Sequence, residues 1–93
     1  MGGLLRNKEF ALSIGSLWDY GTSGDLNGST DTGLYVGEPE KTDNMPARDT
    51  LLVVVFANNI YAIQIAYALN SNEVYQRRIL KYLNKFYDWV KIN

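Results

Sequence analysis

The chain is predicted to be a mostly β protein, a small antiparallel β-sheet or sandwich domain with at most a short helix. Three observations predict it. Two apolar runs rich in β-branched and aromatic residues, Leu51-Leu52-Val53-Val54-Val55-Phe56-Ala57 and Ile60-Tyr61-Ala62-Ile63-Gln64-Ile65-Ala66-Tyr67-Ala68-Leu69, flank Asn58-Asn59, the pattern of a hairpin. Further short apolar runs are separated by Gly, Pro, Asn, Asp and Ser, which punctuate strands. Ninety-three residues, 46% of them hydrophobic, suit one domain with one modest core.

Taken in order, Phe10-Ala11-Leu12-Ser13-Ile14 alternates large and small side chains, as a strand with one buried face does, and Gly15 stops it. Leu17-Trp18-Asp19-Tyr20-Gly21 reads as an irregular, aromatic-rich turn. From Gly21 to Gly33 the chain has loop composition, with Leu26 as the anchor into the core. Ser23 or Asp25 is suited to N-cap a short helical turn there. Gly33-Leu34-Tyr35-Val36-Gly37 is a short strand, and a long polar loop with Pro39 and Pro46 follows.

Residues 50–56 are apolar on both faces, as in a central strand. In the next run Tyr61, Ile63, Ile65, Tyr67 and Leu69 share one face, while Ala62, Gln64, Ala66 and Ala68 share the other. The small face lets something approach closely. Asn70-Ser71-Asn72 is a turn. The tail has two readings. Ile79, Leu83, Phe86 and Val90 lie at helical spacing, widened by Leu80 and Tyr87, which gives a helix over 76–90. Alternatively the chain breaks at Leu83-Asn84-Lys85 into strands 74–82 and 86–92.

Composition excludes several kinds of chemistry. Without Cys there is neither a disulfide framework nor a thiolate, and without His the commonest general base and metal ligand is missing. Residues 1–50 carry a balance of −4 and residues 51–93 one of +3. Such halves attract one another or meet at an interface, and neither is basic enough to argue for nucleic acid. Met1-Gly2-Gly3 reads as an added start, with no targeting signal after it. Leu51 to Leu69 approaches the length of a membrane span, but Asn58, Asn59 and Gln64 would sit near the hydrocarbon centre, so membrane insertion is not expected.

Seven pieces in order resemble one family. Gly21-Thr22-Ser23-Gly24-Asp25-Leu26-Asn27, Thr32-Gly33-Leu34-Tyr35 and Asn44-Met45-Pro46 come first. Leu51-Leu52-Val53-Val54 with Gln64-Ile65-Ala66-Tyr67, Val74-Tyr75-Gln76-Arg77-Arg78 and the ending Trp89-Val90-Lys91-Ile92 complete the series. Together they resemble the knob domain of bacteriophage and pyocin tail fibres from about residue 14 onwards. The chain departs from that pattern at Gly28-Ser29-Thr30, where the family has a further apolar residue. It departs again at Leu83-Asn84-Lys85 and Phe86, where the family has a glycine turn and a Trp. The resemblance implies a homotrimer at or near the tip of a fibre, with residues 1–14 continuing from a shaft and residues 15–93 forming the knob. It implies host attachment on an extracellular virion tail, with wall polysaccharide, teichoic acid or lipopolysaccharide as ligand and no cofactor. The alternative role is a structural connector or trimerisation module without receptor contact.

No catalytic constellation stands out. Fibre-borne depolymerases use paired carboxylates, but Asp19, Asp25, Asp31, Glu38, Glu40, Asp43 and Asp49 lie on polar segments and read as solvated surface. No calcium loop and no phosphate-binding loop is recognisable, so neither enzyme activity nor a metal is expected. Sugar binding needs flat apolar faces and fixed polar groups. Trp18 and Tyr20, with Asp19 between them, are the candidate stacking platform, although plugging the core edge is the commoner role for such a Trp. Asn44 and Arg48 are the candidate hydrogen-bonding groups, Arg48 being suited to phosphate or carboxylate. The commoner role for Arg48 is a surface ion pair with Asp49 or Glu38. Trp89 is expected in the core, and Arg77 and Arg78 on opposite faces of a strand.

Overall fold

A computed structural model describes residues 18–93. The expected strand at 10–14, the extension 1–14 and the boundary between extension and knob lie outside the described residues. Seven strands form one sheet: β1 (Asp19–Thr22), β2 (Gly33–Gly37), β3 (Leu51–Ala57), β4 (Tyr61–Ala68), β5 (Val74–Leu80), β6 (Lys85–Phe86) and β7 (Val90–Lys91). Their order follows the sequence from β1 to β6, and β7 also pairs with β5. All pairings are antiparallel except β1 with β2, which is parallel. The fold is mostly β, and the described residues form a single open sheet with no second sheet packed on it.

The central hairpin forms as expected, and its turn is made by a side chain. None of its turn residues has a positive φ; among the described residues the non-glycine ones that do are Glu40, Asn44, Asn72 and Asn84. Asn58 instead turns the chain with its side chain, whose Oδ1 accepts from the backbone N–H groups of Ile60 and Tyr61, both at 2.8 Å. Its own N–H donates to the Tyr61 carbonyl. This is the local side-chain mimicry that makes Asn a turn residue.

The tail is β, not helical. Val74–Leu80 pairs along β4, a 3₁₀ turn covers Lys81–Leu83, and Asn84 adopts the left-handed conformation before β6. Lys81 Nζ donates to the carbonyls of Thr30 and Asn58, which fixes the reversal. The expected last strand is cut into β6 and β7 by Tyr87-Asp88-Trp89. A second correction concerns Asp19–Thr22. This segment is an edge strand with a register irregularity, rather than a turn.

A loop layer covers one face of the sheet. Leu26 is fully buried on a 3₁₀ turn (Leu26–Gly28) that Asp25 N-caps through Asn27 N–H. Burying one such leucine contributes about 1.5–3 kcal/mol. Leu26 N–H donates to the Asp43 carbonyl, and Asp43 N–H to the Gly24 carbonyl, so two loops are stitched together over the sheet. Beneath them lie Tyr35, Leu51, Val53, Val55, Ala62, Ala66, Ala68 and Ile79, with Met45, Phe86 and Trp89 packed at the margin. The small face of β4 is therefore the buried one, and the Leu26 loop is what approaches it.

The opposite face has no such cover. Leu34, Val54, Ile65 and Gln76 lie in one register row across the sheet, and Val36, Leu52, Tyr67 and Val74 in another. Phe56, Ile63, Tyr61 and Leu80 extend it. Phe56 and Tyr61 are about half exposed. Among the described residues no helix is long and apolar enough to cross a membrane. The 51–69 stretch is the β3–β4 hairpin and Leu69.

Candidate functional site

The five residues singled out from the sequence fall in different places. Trp18 and Tyr20 stand together at the start of the sheet, their rings 6.3 Å apart. Tyr20 stacks on Tyr35 with centroids 4.7 Å apart and planes 12° from parallel. Gly33 makes the stack possible, because a Cβ there would come within 2.6 Å of the Tyr20 ring and 2.5 Å of the Trp18 carbonyl oxygen. Leu34 N–H donates to that same carbonyl. Tyr35 is buried, its hydroxyl donates to the Asp31 carbonyl, and burial raises its pKa. Trp18 is 68% exposed, so it does not plug the core. Asp19 accepts from Gly21 N–H and shapes the strand end.

Beside this aromatic ledge lies an open hollow of about 420 Å³, bordered by Tyr20, Tyr35, Thr22, Ser23, Asp25 and Ser29. Two of its hydroxyls, on Ser23 and Ser29, are hydrogen-bonded to each other at 2.8 Å. A planar apolar surface thus meets a set of positioned polar groups.

Asn44 belongs to a second place. Its left-handed backbone, which Asn tolerates better than most residues, sits in the loop before β3. Its side chain donates to Asp25 and its carbonyl accepts from Trp89 Nε1. Arg48 pairs with exposed Glu40, rather than with Asp49 or Glu38, and exposed pairs of this kind contribute little. No hydrogen bond among the described residues joins Arg48 to the ledge or to Asn44.

Trp89 is only half-buried and covers Arg77, whose guanidinium carbon lies 4.6 Å from the Trp89 ring centre and 5.3 Å from that of Phe86. Arg77 and Gln64 are cross-strand partners on the covered face. Arg77 Nε donates to Gln64 Oε1 and Nη2 to Asn27 Oδ1, while Gln64 Nε2 donates to the carbonyls of Leu26 and Ser29. Burial lowers the Arg77 pKa, and the charge of Asp25 opposes that shift. Next to this chain of bonds is a hollow of about 270 Å³ bordered by Asn27, Asn44, Arg77, Tyr87, Asp88 and Trp89.

Sequence reasoning placed Trp89 in the core and assigned no ligand role to Arg77, Asn27 or Asp88. Parity becomes a signal only once the covered face is known: Gln64 lies between buried Ala62 and Ala66, and Arg77 two residues before buried Ile79, so both are polar groups inside. Among the described residues, no group of three or more Asp or Glu side chains could hold a metal ion. The chain matches no protein-family model, no curated protein and no solved structure.

Proposed function

We propose that this chain is a non-enzymatic attachment module of a phage-type tail fibre, a knob that binds a bacterial cell-surface saccharide or teichoic acid. It would act on the outside of the virion tail as a homotrimer held by the fibre, so that weak single sites combine through effective concentration. The observation that carries the reading is the ledge of exposed Trp18 and Tyr20, the latter backed by buried Tyr35, beside the hydroxyl-lined hollow. Flat rings suit a pyranose face, and the neighbouring Ser and Thr hydroxyls suit its hydroxyl groups. Neither nucleic acid nor a membrane enters this mechanism.

The test is binding of the labelled domain, fused to a trimerising shaft, to bacterial cells and purified wall polysaccharides. Selective binding that one polysaccharide competes away, and that Trp18→Ala weakens by about tenfold or more, is the expected outcome. An unchanged affinity in a folded Trp18→Ala domain would remove the ledge as the site.

A second reading is the connector or trimerisation module. The uncovered apolar sheet face supports it, since contiguous apolar patches mark association surfaces. On that reading further copies of this chain cover Leu52, Phe56, Ile63 and Tyr67. Sedimentation equilibrium of the unfused domain separates the two: a stable trimer that binds no cells favours the connector.

A further inference from the structure

We propose that the hollow beside Arg77 binds the carboxylate of an acidic sugar. Arg77 is only 6% exposed. A guanidinium taken out of water needs an opposite charge or complete hydrogen bonding. Among the described residues no carboxylate forms an ion pair with it, although the charge of Asp25 acts on it from farther away, and its hydrogen bonding is incomplete. The ion pairs there involve Lys41, Arg48 and Lys91, and the acceptors of Arg77 are two neutral amides, Gln64 and Asn27. Those bonds occupy Nε and one hydrogen of Nη2, which together form one edge of the fork. Phe86 and Trp89 attend to the flat faces of the ion. The remaining edge, formed by Nη1 and the second hydrogen of Nη2, meets no acceptor among the described residues. That edge matches a planar carboxylate in bidentate geometry.

The rest of the hollow narrows the ligand. Its volume of about 270 Å³ is at the small end for ligand sites and is enough for one sugar ring, and Arg77, Tyr87 and Asp88 also border a second hollow of about 620 Å³. Asp88 on its border opposes a bare anion such as inorganic phosphate, yet accepts hydrogen bonds from hydroxyl groups. Asn27 Nδ2, which has no acceptor among the described residues, and the Tyr87 hydroxyl add further polar contacts. A ligand with one carboxylate and adjacent hydroxyls, a uronic acid, satisfies Arg77 and Asp88 together. The saccharide part of this assignment rests on the attachment reading above, whereas the preference of Arg77 for an anion does not.

The experiment is ¹H–¹⁵N NMR of the whole 93-residue chain, titrated with galacturonate, galactose or inorganic phosphate at constant ionic strength. The Arg77 Nε–H and Trp89 Nε1–H signals should shift saturably with galacturonate, at concentrations at least about tenfold below any response to galactose or phosphate. Arg77→Lys, which keeps the charge but not the fork, should weaken galacturonate binding about tenfold or more. Should that variant fail to fold, the titration of the unaltered protein decides alone. No shift with galacturonate, or an equal response to galactose or to phosphate, overturns the assignment. Cell binding that still depends on Trp18 would then leave the attachment reading standing without this site.

Discussion

The two faces of the single sheet differ in the opposite sense to their side-chain sizes. On β4 the covered face presents Ala62, Gln64, Ala66 and Ala68, all buried, while the open face presents Tyr61, Ile63 and Tyr67, each 39% exposed or more. The small face is buried because the Leu26 turn and its neighbouring loop lie directly on it, close enough for Gln64 to bond the carbonyls of Leu26 and Ser29. Bulk on a strand therefore does not locate the core of this domain. The loop that can approach the strand does.

This contrast is broken or sharpened most strongly by truncation on each face. Leu26→Ala should cost about 2–5 kcal/mol of unfolding free energy, because the loop layer cannot collapse into the space left. Phe56→Thr, on the open face and to another residue that favours strands, should change the stability of the monomer by less than about 1 kcal/mol. Urea unfolding at a fixed low protein concentration measures both. If Phe56→Thr costs as much as Leu26→Ala, the face is covered in solution and the contrast between faces fails.

The same contrast explains what could be read from the sequence. Strand positions from Gly33 to Ala68 followed from period and punctuation, and Leu26 was legible as an anchor because it is the one large apolar residue in a polar loop. The choice of covered face was not legible, since both faces of β3 and β4 are apolar. The tail was ambiguous because Ile79, Leu83 and Phe86 satisfy a helical stripe. Pairing with β4 and the left-handed Asn84 decide against it. Of the candidate site, the ledge was legible as aromatics among glycines. The grouping of Arg77 with Asn27, Asn44 and Trp89 was not, since Arg77 and Asn27 alone are 50 apart in sequence.

A smaller effect is expected where β3 and β4, which carry both faces, are joined at the hairpin. Asn58→Ala removes the acceptor of two backbone N–H groups and should cost about 0.5–2 kcal/mol, as loss of a helix cap does. Asn59→Ala should stay within about 0.5 kcal/mol, because no hydrogen bond of its side chain holds the turn. Equal losses at the two positions would mean that backbone conformation, rather than the Asn58 side chain, makes the turn. Thermal melts of the two single variants separate these outcomes.

The most local effect is at the other end of the sheet and depends on pH. Asp49 lies just before β3, and its carboxylate accepts from Thr50 N–H, from the Asn70 side chain and N–H, and from Ser71 N–H, so it clamps the β4–β5 turn. The hydrogen bond from the Asn70 side chain is the main reason its pKa is lowered. Glu73, three residues beyond that side chain, is lowered chiefly by the Tyr75 hydroxyl, with Lys91 assisting. A carboxyl whose pKa is lower in the folded than in the unfolded chain stabilises the fold fully above its unfolded value, ~4. That contribution is lost as pH falls through the lower, folded value. Stability should therefore be flat near neutrality and decline below about pH 4. Asp49→Asn should unfold more easily at pH 7 and show a shallower acid decline. Both carboxyls are only partly buried, so the loss should loosen the turn before it unfolds the sheet. Hydrogen exchange at Asn70 and Ser71 that accelerates in acid ahead of exchange at Val53 and Ala66 would show this order. Simultaneous acceleration at all four would instead mean that the clamp and the covered face open as one unit.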